Sequence, residues 1–492
     1  MASSRTISLA SVAKAIEFAV PEVQLCGDAL VGDVHIDSRA VTPGSLYVAI
    51  RGLHADGHDF VATAIDRGAQ AVVVDKPPDV DIPYLQVVNT RQALGWIAAE
   101  VHGRPAESLS LTGITGTNGK TTVAHMLAAM APSESHNMAV VGTVSANLEG
   151  LEASPRTTPE ASDLHRTLRR LADGGRITDV AIEVSSHAMD MGRVNGCRFD
   201  VVAFTNLSQD HLDYHGTMEA YYRAKAQLFS PIWAPTAVIW TDDNWGARLA
   251  GETELPVISV GTGRTCDVIV EHGPDSTDGS AFSIEIERSR YRGRTTLAGR
   301  FNVANAAIAL ACAWRKGWEI EGCLARLATM PPIPGRYNSV ANGLGLWIVV
   351  DYAHTPDAIA SVIAEVRSLI VGRVIVVGGA GGDRDQEKRP LMGTALAAAD
   401  MTVLTTDNPR SEDPEVILEQ VLSGIGHRDG VTVELDRRRA IRIGLRAATA
   451  GDAVLILGKG HENSQEFSDR VVPFDDAAVA REELRALTGT QS

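Results

Sequence analysis

A glycine-rich stretch that ends in a lysine and two threonines is the clearest chemical signal in the sequence. Residues 112–122 read TGITGTNGKTT and lie between an apolar run and an amphipathic helical pattern. Glycines let backbone N–H groups turn toward phosphate oxygens, Lys120 can neutralise the outer phosphates, and the Thr121 hydroxyl can bind Mg²⁺. The usual spacing has its first glycine where this chain has Ile114, so the stretch is a variant P-loop with Gly116. The alternative is a glycine-rich turn with an accidental GKT.

An acidic group and an imidazole follow two further apolar runs. Glu183 begins EVSSH after one predicted strand, and His211 lies in NLSQDHLDYH after another. Both therefore fall at strand ends, where the ligand sites of α/β sheets assemble. Taken singly, Glu183 is typical of a solvated cap and His211 of a turn. Beside a P-loop, however, an oxygen ligand and an imidazole suit Mg²⁺, which takes few protein ligands plus phosphates and water.

Three loops in the last third of the chain each follow an apolar run. They read GAGGDRD at 379–385, DNPR at 407–410 and GKGHE at 458–462. Loops that follow parallel strands converge on one crevice at the carboxyl edge of the sheet. These loops offer two guanidiniums, an amide and a carboxylate, which suit an amino acid that carries both charges. The alternative is a cluster of surface ion pairs.

The elements that position these loops predict an α/β protein of three domains. Short strands and two helical segments predict a small α/β N-terminal domain at 1–106, which ends at the polar break RPAES. Apolar runs alternate with helical patterns at 107–333 and predict a central P-loop ATPase-like parallel sheet domain, with small antiparallel strands between residues 266 and 297. The proline-rich stretch MPPIPG marks the next boundary. A second alternation predicts a Rossmann-like C-terminal domain at 334–492.

Composition narrows the class of protein. The chain has 492 residues, with 45% hydrophobic and 22% charged, which is ordinary for a globular protein of about three domains. A formal net charge of −16 predicts no general affinity for nucleic acid. The sequence contains no apolar run long enough to span a bilayer and no apolar signal-peptide core, so we expect a cytoplasmic protein. Five widely spaced cysteines indicate neither a disulfide framework nor a zinc site.

The TGTNGKTT loop resembles the ATP loop of the Mur ligase family, the ATP-dependent amide synthetases of cell-wall precursor assembly, and of their folate-polyglutamate relatives. Three more stretches are similar to the ATP pocket of that family: FNVAN, which contains Asn305, the PGR sequence with Arg336, and DYAHTPD, which begins at Asp351. The resemblance extends over all three predicted domains. The ATP-binding residues that it implies are Thr115, Gly116, Thr117, Asn118, Gly119, Lys120, Thr121, Thr122, Asn305, Arg336 and Asp351.

The resemblance also implies a set of metal ligands and catalytic groups. In the family, the residues that match Glu183 and His211 bind the metals, and Thr121 joins them through its hydroxyl. Lys225 by itself looks like an exposed helical lysine, but the resemblance implies that it is carbamylated to N6-carboxylysine and holds a second Mg²⁺. Carbamylation needs the neutral amine, so the site must disfavour the charged lysine or trap the product with metal. The implied catalytic residues are Lys120, Glu183, His211 and Lys225.

Substrate residues follow from the same resemblance. The implied contacts for a UDP-linked muramoyl dipeptide are Ser38, Leu53, His54, Ala55, Thr157, Thr158, Ser185 and Arg193. Met191 stands where the family often has glutamine, so that polar contact is absent or replaced. The DNPR stretch marks members that use meso-diaminopimelate, whose distal carboxylate its arginine holds. The implied diaminopimelate-binding residues are Arg384, Asp407, Asn408, Pro409, Arg410, Gly458 and Glu462.

The resemblance therefore predicts an ATP-dependent amide ligase. It is expected to add meso-diaminopimelate to the D-glutamate γ-carboxylate of UDP-N-acetylmuramoyl-L-alanyl-D-glutamate through an acyl phosphate, during peptidoglycan biosynthesis. The alternatives are a lysine-adding ligase of the same family, a folate-polyglutamate synthetase, which matches the first domain and DNPR poorly, and a non-catalytic ATP-binding scaffold. We expect ATP as co-substrate, Mg²⁺ as cofactor, small-molecule substrates as the partners, no membrane span and a monomer.

Overall fold

The computed structural model describes residues 6–52, 55–132, 137–148, 150–151, 154, 156–427 and 429–488. Its described part contains three larger sheets, which span residues 24–86, 110–295 and 338–457. The expected α/β class, with a parallel-rich central sheet and a second doubly wound sheet after it, is confirmed. The domain boundaries at 106 and 333 stay predictions.

The N-terminal sheet has the order β2-β7-β6-β5-β4, with parallel pairing from β4 to β7 and an antiparallel edge at β2. Helix α3 begins at the Asn89 cap, whose side chain accepts from the backbone N–H groups of Arg91 and Gln92. Its apolar face packs on this sheet. The strands are β1 (Ile7–Ser8), β2 (Gln24–Cys26), β3 (Leu30–Val31), β4 (Asp33–His35), β5 (Ser45–Val48), β6 (Ala69–Val74) and β7 (Tyr84–Gln86), and the helices are α1 (Leu9–Ile16), α2 (Val61–Asp66) and α3 (Thr90–Val101).

The central sheet has the order β16-β15-β14-β13-β12-β11-β8-β10-β9. Pairing is parallel from β9 to β14, and the antiparallel β14–β16 meander lies where the sequence predicts small antiparallel strands. The strands are β8 (Ser110–Thr115), β9 (Asn137–Val141), β10 (Ile177–Glu183), β11 (Val201–Phe204), β12 (Ala237–Trp240), β13 (Val257–Gly261), β14 (Val268–Ser276), β15 (Gly279–Ile286) and β16 (Ser289–Thr295). The helices are α4 (Lys120–Met130), α5 (Ala161–Gly174), α6 (Ser186–Asp190), α7 (Leu212–His215), α8 (Met218–Ala226), α9 (Asn244–Glu252), α10 (Arg300–Arg315) and α11 (Ile320–Leu327).

The C-terminal sheet has the order β17-β18-β22-β19-β20-β21, antiparallel only at β17. Its strands are β17 (Asn338–Val340), β18 (Trp347–Asp351), β19 (Val374–Gly378), β20 (Met401–Leu404), β21 (Val431–Val433) and β22 (Ala453–Leu457), and the β23 (Ser464–Glu466) and β24 (Val471–Pro473) hairpin follows. The helices are α12 (Pro356–Leu369), α13 (Lys388–Leu396), α14 (Pro414–Leu422), α15 (Arg437–Ala447) and α16 (Asp476–Thr488). One apolar core runs continuously from α4 and α10 of the central domain to α12 of the C-terminal domain, so these two domains pack directly together.

Candidate active site

The phosphate loop is the turn between β8 and α4. Gly119 has φ +88°, and a Cβ there would collide with the Asn305 side chain, so only glycine fits the last position of the loop. Lys120 opens α4 and folds back, and its Nζ donates to the carbonyls of Gly116 and Thr117 at 2.9 Å each. Burial lowers the pKa of Lys120. The strand, loop and helix that the sequence indicates therefore place an ammonium inside the glycine turn.

Glu183 lies beside this loop at the end of the neighbouring strand β10. Its carboxylate accepts from the Thr121 hydroxyl at 3.0 Å and from the Thr143 backbone N–H at 2.9 Å. Arg336, from the segment that leads into the C-terminal domain, donates through Nη2 to the same Thr121 hydroxyl at 2.8 Å. The Glu183 side chain is buried. Two domains thus supply polar groups around Thr121.

His211 and Lys225 belong to the segment that follows β11. His211 has φ +56° as the residue before α7, and its Nε2 is 3.4 Å from Oδ2 of Asp210. Burial lowers the pKa of His211 to about 3, so its imidazole is neutral. Lys225 Nζ donates to the Gly116 carbonyl at 2.9 Å, and burial, reinforced by the charge of Lys120, holds the pKa of Lys225 well below its usual range. The loop carbonyl of Gly116 therefore accepts from both lysines.

The other expected ATP residues lie in α10 and in the hinge, which is the segment 334–351 where the chain passes from the central into the C-terminal domain. The side chain of Asn305 in α10 packs against Gly119 of the loop. The Arg336 guanidinium carbon lies 4.8 Å from the centre of the Tyr352 ring. Asp351 ends β18, and its carboxylate accepts from the backbone N–H of Tyr337 at 2.7 Å and of Ala353 at 2.8 Å. Asp351 therefore holds the shape of the hinge.

The residues expected to hold the muramoyl end form a second group. The Thr158 hydroxyl donates to the Glu183 carbonyl at 2.7 Å, and the Ser185 backbone N–H donates to that hydroxyl at 3.1 Å. Arg193 donates to the Thr158 carbonyl at 3.2 Å and through Nη2 to the Met191 sulfur at 3.3 Å, so the sulfur takes up a polar contact at the position that departs from the family pattern.

The other residues expected to contact the UDP-linked substrate lie in the central and N-terminal domains. Thr157 lines the large cavity described below, and its hydroxyl accepts from Thr143 at 3.1 Å. Ser38 lies in a short helix after β4, and Ala55 lies between β5 and the turn of helix at Gly57–Phe60. Leu53 and His54 lie outside the described residues.

The three loops of the C-terminal sheet meet as expected. Asn408 Nδ2 donates to Oε2 of Glu462 at 2.6 Å. Arg410, with φ +52°, donates through Nε to Glu466 at 3.1 Å and through Nη1 to the Gly382 carbonyl at 2.7 Å. Arg384 donates to the Asp383 carbonyl at 2.8 Å. Pro409 lies between Asn408 and Arg410 in the chain. Gly458 lies directly against Asp407, because a Cβ at this position would collide with the Asp407 carboxylate.

One cavity of about 1220 Å³ connects the phosphate loop with these acceptor loops. Its lining includes Lys120, Glu183 and His211 of the central domain. From the other side it includes Arg384, Asp407, Asn408, Arg410, Gly458 and Glu462 of the C-terminal domain. A nucleotide and an amino acid can therefore reach one another inside a single enclosure between the two domains.

Comparison with known proteins matches most of the chain. The family models match as Mur ligase family, catalytic domain, at 31–102, Mur ligase middle domain at 114–313, and Mur ligase, glutamate ligase domain, at 335–460. The chain belongs to the Mur ligase family. Membership confirms the expected class of activity, an ATP-dependent amide ligase.

Individual Mur ligases resemble this one over nearly their full length. A UDP-N-acetylmuramoyl-L-alanyl-D-glutamate–2,6-diaminopimelate ligase of Geobacillus thermodenitrificans (strain NG80-2) is 42% identical over 459 residues, 91% of this chain and 94% of the relative. The ligase of the same name from Aquifex aeolicus (strain VF5) is 42% identical over 92% of this chain and 94% of its own. A solved structure of a ligase with that name has a TM-score of 0.68 at 32% identity, over 99% of this chain and 100% of its own.

Sequence reasoning missed two buried lysines of this Mur ligase. Lys388 in α13 donates to Asp210 at 2.9 Å, a pair that joins the C-terminal domain to the central domain. Lys459, fully buried after β22, donates to Asn408 and Glu462. No local pattern marks Lys388. Lys459 stands between two glycines at a strand end, and that position was a usable signal.

The Mur ligase site has donors that fit a hard cation. The hydroxyl of Thr121 and the buried carboxylate of Glu183 are oxygen donors of the kind that Mg²⁺ prefers, and the imidazole of His211 lines the same cavity. Among the described residues, no group of three or more His, Cys, Asp and Glu side chains forms a complete metal cage. This donor set suits Mg²⁺, which keeps several waters and substrate phosphates as ligands.

The described helices of this Mur ligase include none with the length and apolar character needed to cross a bilayer.

Proposed function

We propose that this enzyme joins meso-diaminopimelate to the γ-carboxylate of the D-glutamyl residue in UDP-N-acetylmuramoyl-L-alanyl-D-glutamate, with conversion of ATP to ADP and phosphate. The cavity that the phosphate loop shares with the acceptor loops carries this proposal. The names of the relatives at 42% identity support the same substrates.

The first step activates the carboxylate. An oxygen of the γ-carboxylate attacks the terminal phosphorus of ATP, and the bond to ADP breaks, which leaves an acyl phosphate and ADP. Lys120 in the glycine turn and Arg336 at the hinge lie where they can neutralise the phosphate charge that develops. Because Arg336 comes from the segment before the C-terminal sheet, packing of the two domains completes this charge set.

The second step forms the amide. The neutral amine of diaminopimelate attacks the acyl carbon, phosphate leaves with the bonding electrons, and the amine loses one proton. The chain needs no nucleophile of its own for this step, so its contribution is to orient the two reactants and exclude water. The Glu462 carboxylate and the Arg410 guanidinium line the cavity and offer opposite charges to the two ends of the acceptor.

We assign Mg²⁺ to Thr121, Glu183 and His211, where it would neutralise phosphate charge when bound. Lys225 would itself become a ligand for a second metal ion once it is carbamylated. Its depressed pKa supplies the neutral amine, which adds to CO₂ and releases a proton to give the carbamate. A carbamate resonance after equilibration with ¹³C-bicarbonate, absent from a Lys225→Met variant, would test this modification directly.

Arg410 supports selection of diaminopimelate over lysine. Its side chain is 22% exposed, and two bonds to Glu466 and the Gly382 carbonyl hold it in place. The distal carboxylate of diaminopimelate would pair with this guanidinium, whereas lysine has no such group. A site built to pair a polar group rejects ligands that lack it.

In this proposal the UDP-linked substrate contacts both the N-terminal and the central domain. We assign the uridine end to Ser38, Leu53, His54 and Ala55. The muramoyl dipeptide falls to Thr157, Thr158, Ser185 and Arg193. Thr158 bonds to the carbonyl of Glu183, so this group lies directly next to the phosphate site.

We propose a cytoplasmic monomer. ATP is a cytoplasmic substrate, and all five cysteines are free thiols, which suits a reducing compartment. A single chain supplies both the phosphate loop and the acceptor loops of the cavity. Light scattering after gel filtration would test the monomer, and a dimer at working concentration would contradict it.

The test is phosphate release by the purified chain with ATP, Mg²⁺ and UDP-N-acetylmuramoyl-L-alanyl-D-glutamate. Three parallel reactions contain meso-diaminopimelate, L-lysine or no amino acid, and mass spectrometry identifies the product. We expect turnover with diaminopimelate alone. Turnover with lysine would favour the lysine-adding alternative, and silence in all three reactions would refute the proposed activity.

A further inference from the structure

Lys459 lies at the centre of the acceptor loops. It follows β22 and Gly458, and its side chain is 0% exposed. Its Nζ donates to Oδ1 of Asn408 at 2.8 Å and to Oε2 of Glu462 at 3.0 Å, and it is 4.0 Å from Oδ1 of Asp407. A buried ammonium with three acceptors around it costs desolvation energy, which these contacts must offset.

The contacts fix the amide of Asn408 in one orientation. Its Oδ1 accepts from Lys459 and from the backbone N–H of Glu466 at 3.1 Å. Its Nδ2 is therefore turned toward Glu462, to which it donates at 2.6 Å. Loss of the Lys459 cation removes one of the two donors that hold the amide oxygen.

The same contacts fix the carboxylate of Glu462. Lys459 and Asn408 both bind its Oε2, so the plane of the carboxylate is set. Burial, reinforced by the charge of Asp407, raises the pKa of Glu462, whereas the charge of Lys459 opposes that rise. Lys459 therefore favours the ionised form of a carboxylate that lines the cavity.

A second buried cation nearby differs in this respect. Arg437 in α15 forms a bidentate pair with Asp476, through Nε at 2.8 Å and Nη2 at 2.7 Å. Its charge is matched within its own pair, and it donates to the Leu457 carbonyl as part of the frame. Lys459 by contrast binds residues of the acceptor loops themselves.

We propose that Lys459 is a positioning residue of the acceptor site, which orients Asn408 and Glu462 so that Oε1 of Glu462 receives an ammonium group of the incoming amino acid. The inference rests on the proposed function, because the ligand is the amino-acid acceptor of that reaction. Lys459 does not line the cavity, so it acts on the acceptor through Asn408 and Glu462.

The experiment separates the acceptor step from the activation step. In Lys459→Met the flexible apolar chain keeps its volume and loses the charge. Acyl phosphate formation is measured without amino acid, by trapping with hydroxylamine, and amide formation is measured over a range of diaminopimelate concentrations. The matched control is Lys316→Met, because Lys316 is also a buried lysine, paired with Asp179 at 2.9 Å in the central domain.

We expect the KM for diaminopimelate to rise about 10- to 100-fold in Lys459→Met, the loss expected for charge-assisted hydrogen bonds to a binding group. Hydroxamate formation and the KM for ATP should stay within twofold of the unmodified chain. Lys316→Met should leave the KM for diaminopimelate unchanged. In the double variant Lys459→Met with Glu462→Gln, the loss of binding free energy for diaminopimelate should be smaller than the sum of the losses in the two single variants, since both substitutions act on one contact.

Two kinetic results would overturn the inference. One is an unchanged KM for diaminopimelate in Lys459→Met. The other is an equal loss in the trapping reaction and the KM for ATP. If Lys459→Met does not fold, Lys459→Gln is used in its place, because its amide keeps one donor for Asn408. Failure of both variants to fold, with Lys316→Met folded, would assign Lys459 a structural role and also overturn the inference. Absence of hydroxamate in the unmodified chain would instead refute the proposed function.

Discussion

Replacement of Lys388 by methionine leaves the Asp210 carboxylate buried between two domains without its ammonium partner. The Lys388 and Asp210 side chains are only 8% and 6% exposed, and Nζ lies 2.9 Å from Oδ1. Lys388 belongs to α13 of the C-terminal domain, whereas Asp210 precedes His211 in the central domain. The substitution therefore penalises the packed arrangement of the two domains more than the fold of either one.

The magnitude follows from the burial of the pair. Removal of one partner from a buried ion pair costs about 3–5 kcal/mol. Two imidazoles also face Asp210, His211 at 3.4 Å and His354 at 3.8 Å. The charge of Lys388 contributes to the low pKa of both imidazoles, so its removal makes their protonation easier. We therefore expect the lower end, about 3 kcal/mol, which is on the order of a 100-fold loss of the packed arrangement relative to the separated one.

The assay combines kinetics with scattering. We expect kcat/KM for each substrate to fall by up to about 100-fold in Lys388→Met and the radius of gyration to increase. Asp210→Asn in the same chain removes the unpaired charge, and its amide oxygen can still accept from the His211 backbone N–H, a 3.0 Å bond in the unmodified chain. The double variant should recover the compact scattering profile. Activity within twofold and an unchanged scattering profile in Lys388→Met would show that this ion pair does not hold the two domains together.

Three further predictions test other parts of the site. Arg410→Leu should raise the KM for diaminopimelate about 10- to 100-fold while hydroxamate formation without amino acid stays within twofold; an unchanged KM for diaminopimelate would contradict its assignment. Lys120→Ala should lower substrate-dependent ADP formation by about 100-fold or more, and ADP formation at the normal rate would contradict the phosphate site. Burial lowers the pKa of His165 to about 4, below its usual value near 6.5, so the unfolded chain binds more protons between these pH values and stability falls as the pH drops from about 6.5 to 4. His165→Gln should flatten this dependence in urea unfolding at several pH values, and an unchanged slope would contradict it.

Sequence patterns predicted the parts of the site that depend on neighbouring residues. In residues 112–122 the glycines indicate the tight turn from β8 into α4, and the adjacent Lys120 indicates phosphate binding. Alternation of apolar runs with helical patterns predicted the parallel sheets, and with them the strand ends that carry Glu183, Asn408 and Glu462. The antiparallel strands after residue 266 were predicted from a different pattern, the alternation of apolar and polar residues with a period of two.

The tertiary structure decided which distant residues share an environment. Arg336 reaches Thr121 across 215 positions, and Lys388 reaches Asp210 across 178, and no periodicity within either segment encodes these pairs. The depressed pKa of Lys225 likewise depends on burial by elements far from its own helix, where the sequence alone indicates an exposed lysine. The sequence by itself determined the phosphate loop and the alternation of strands with helices, since these follow from local backbone chemistry. Packing of the central and C-terminal domains determined which of their side chains are buried, paired and charged together.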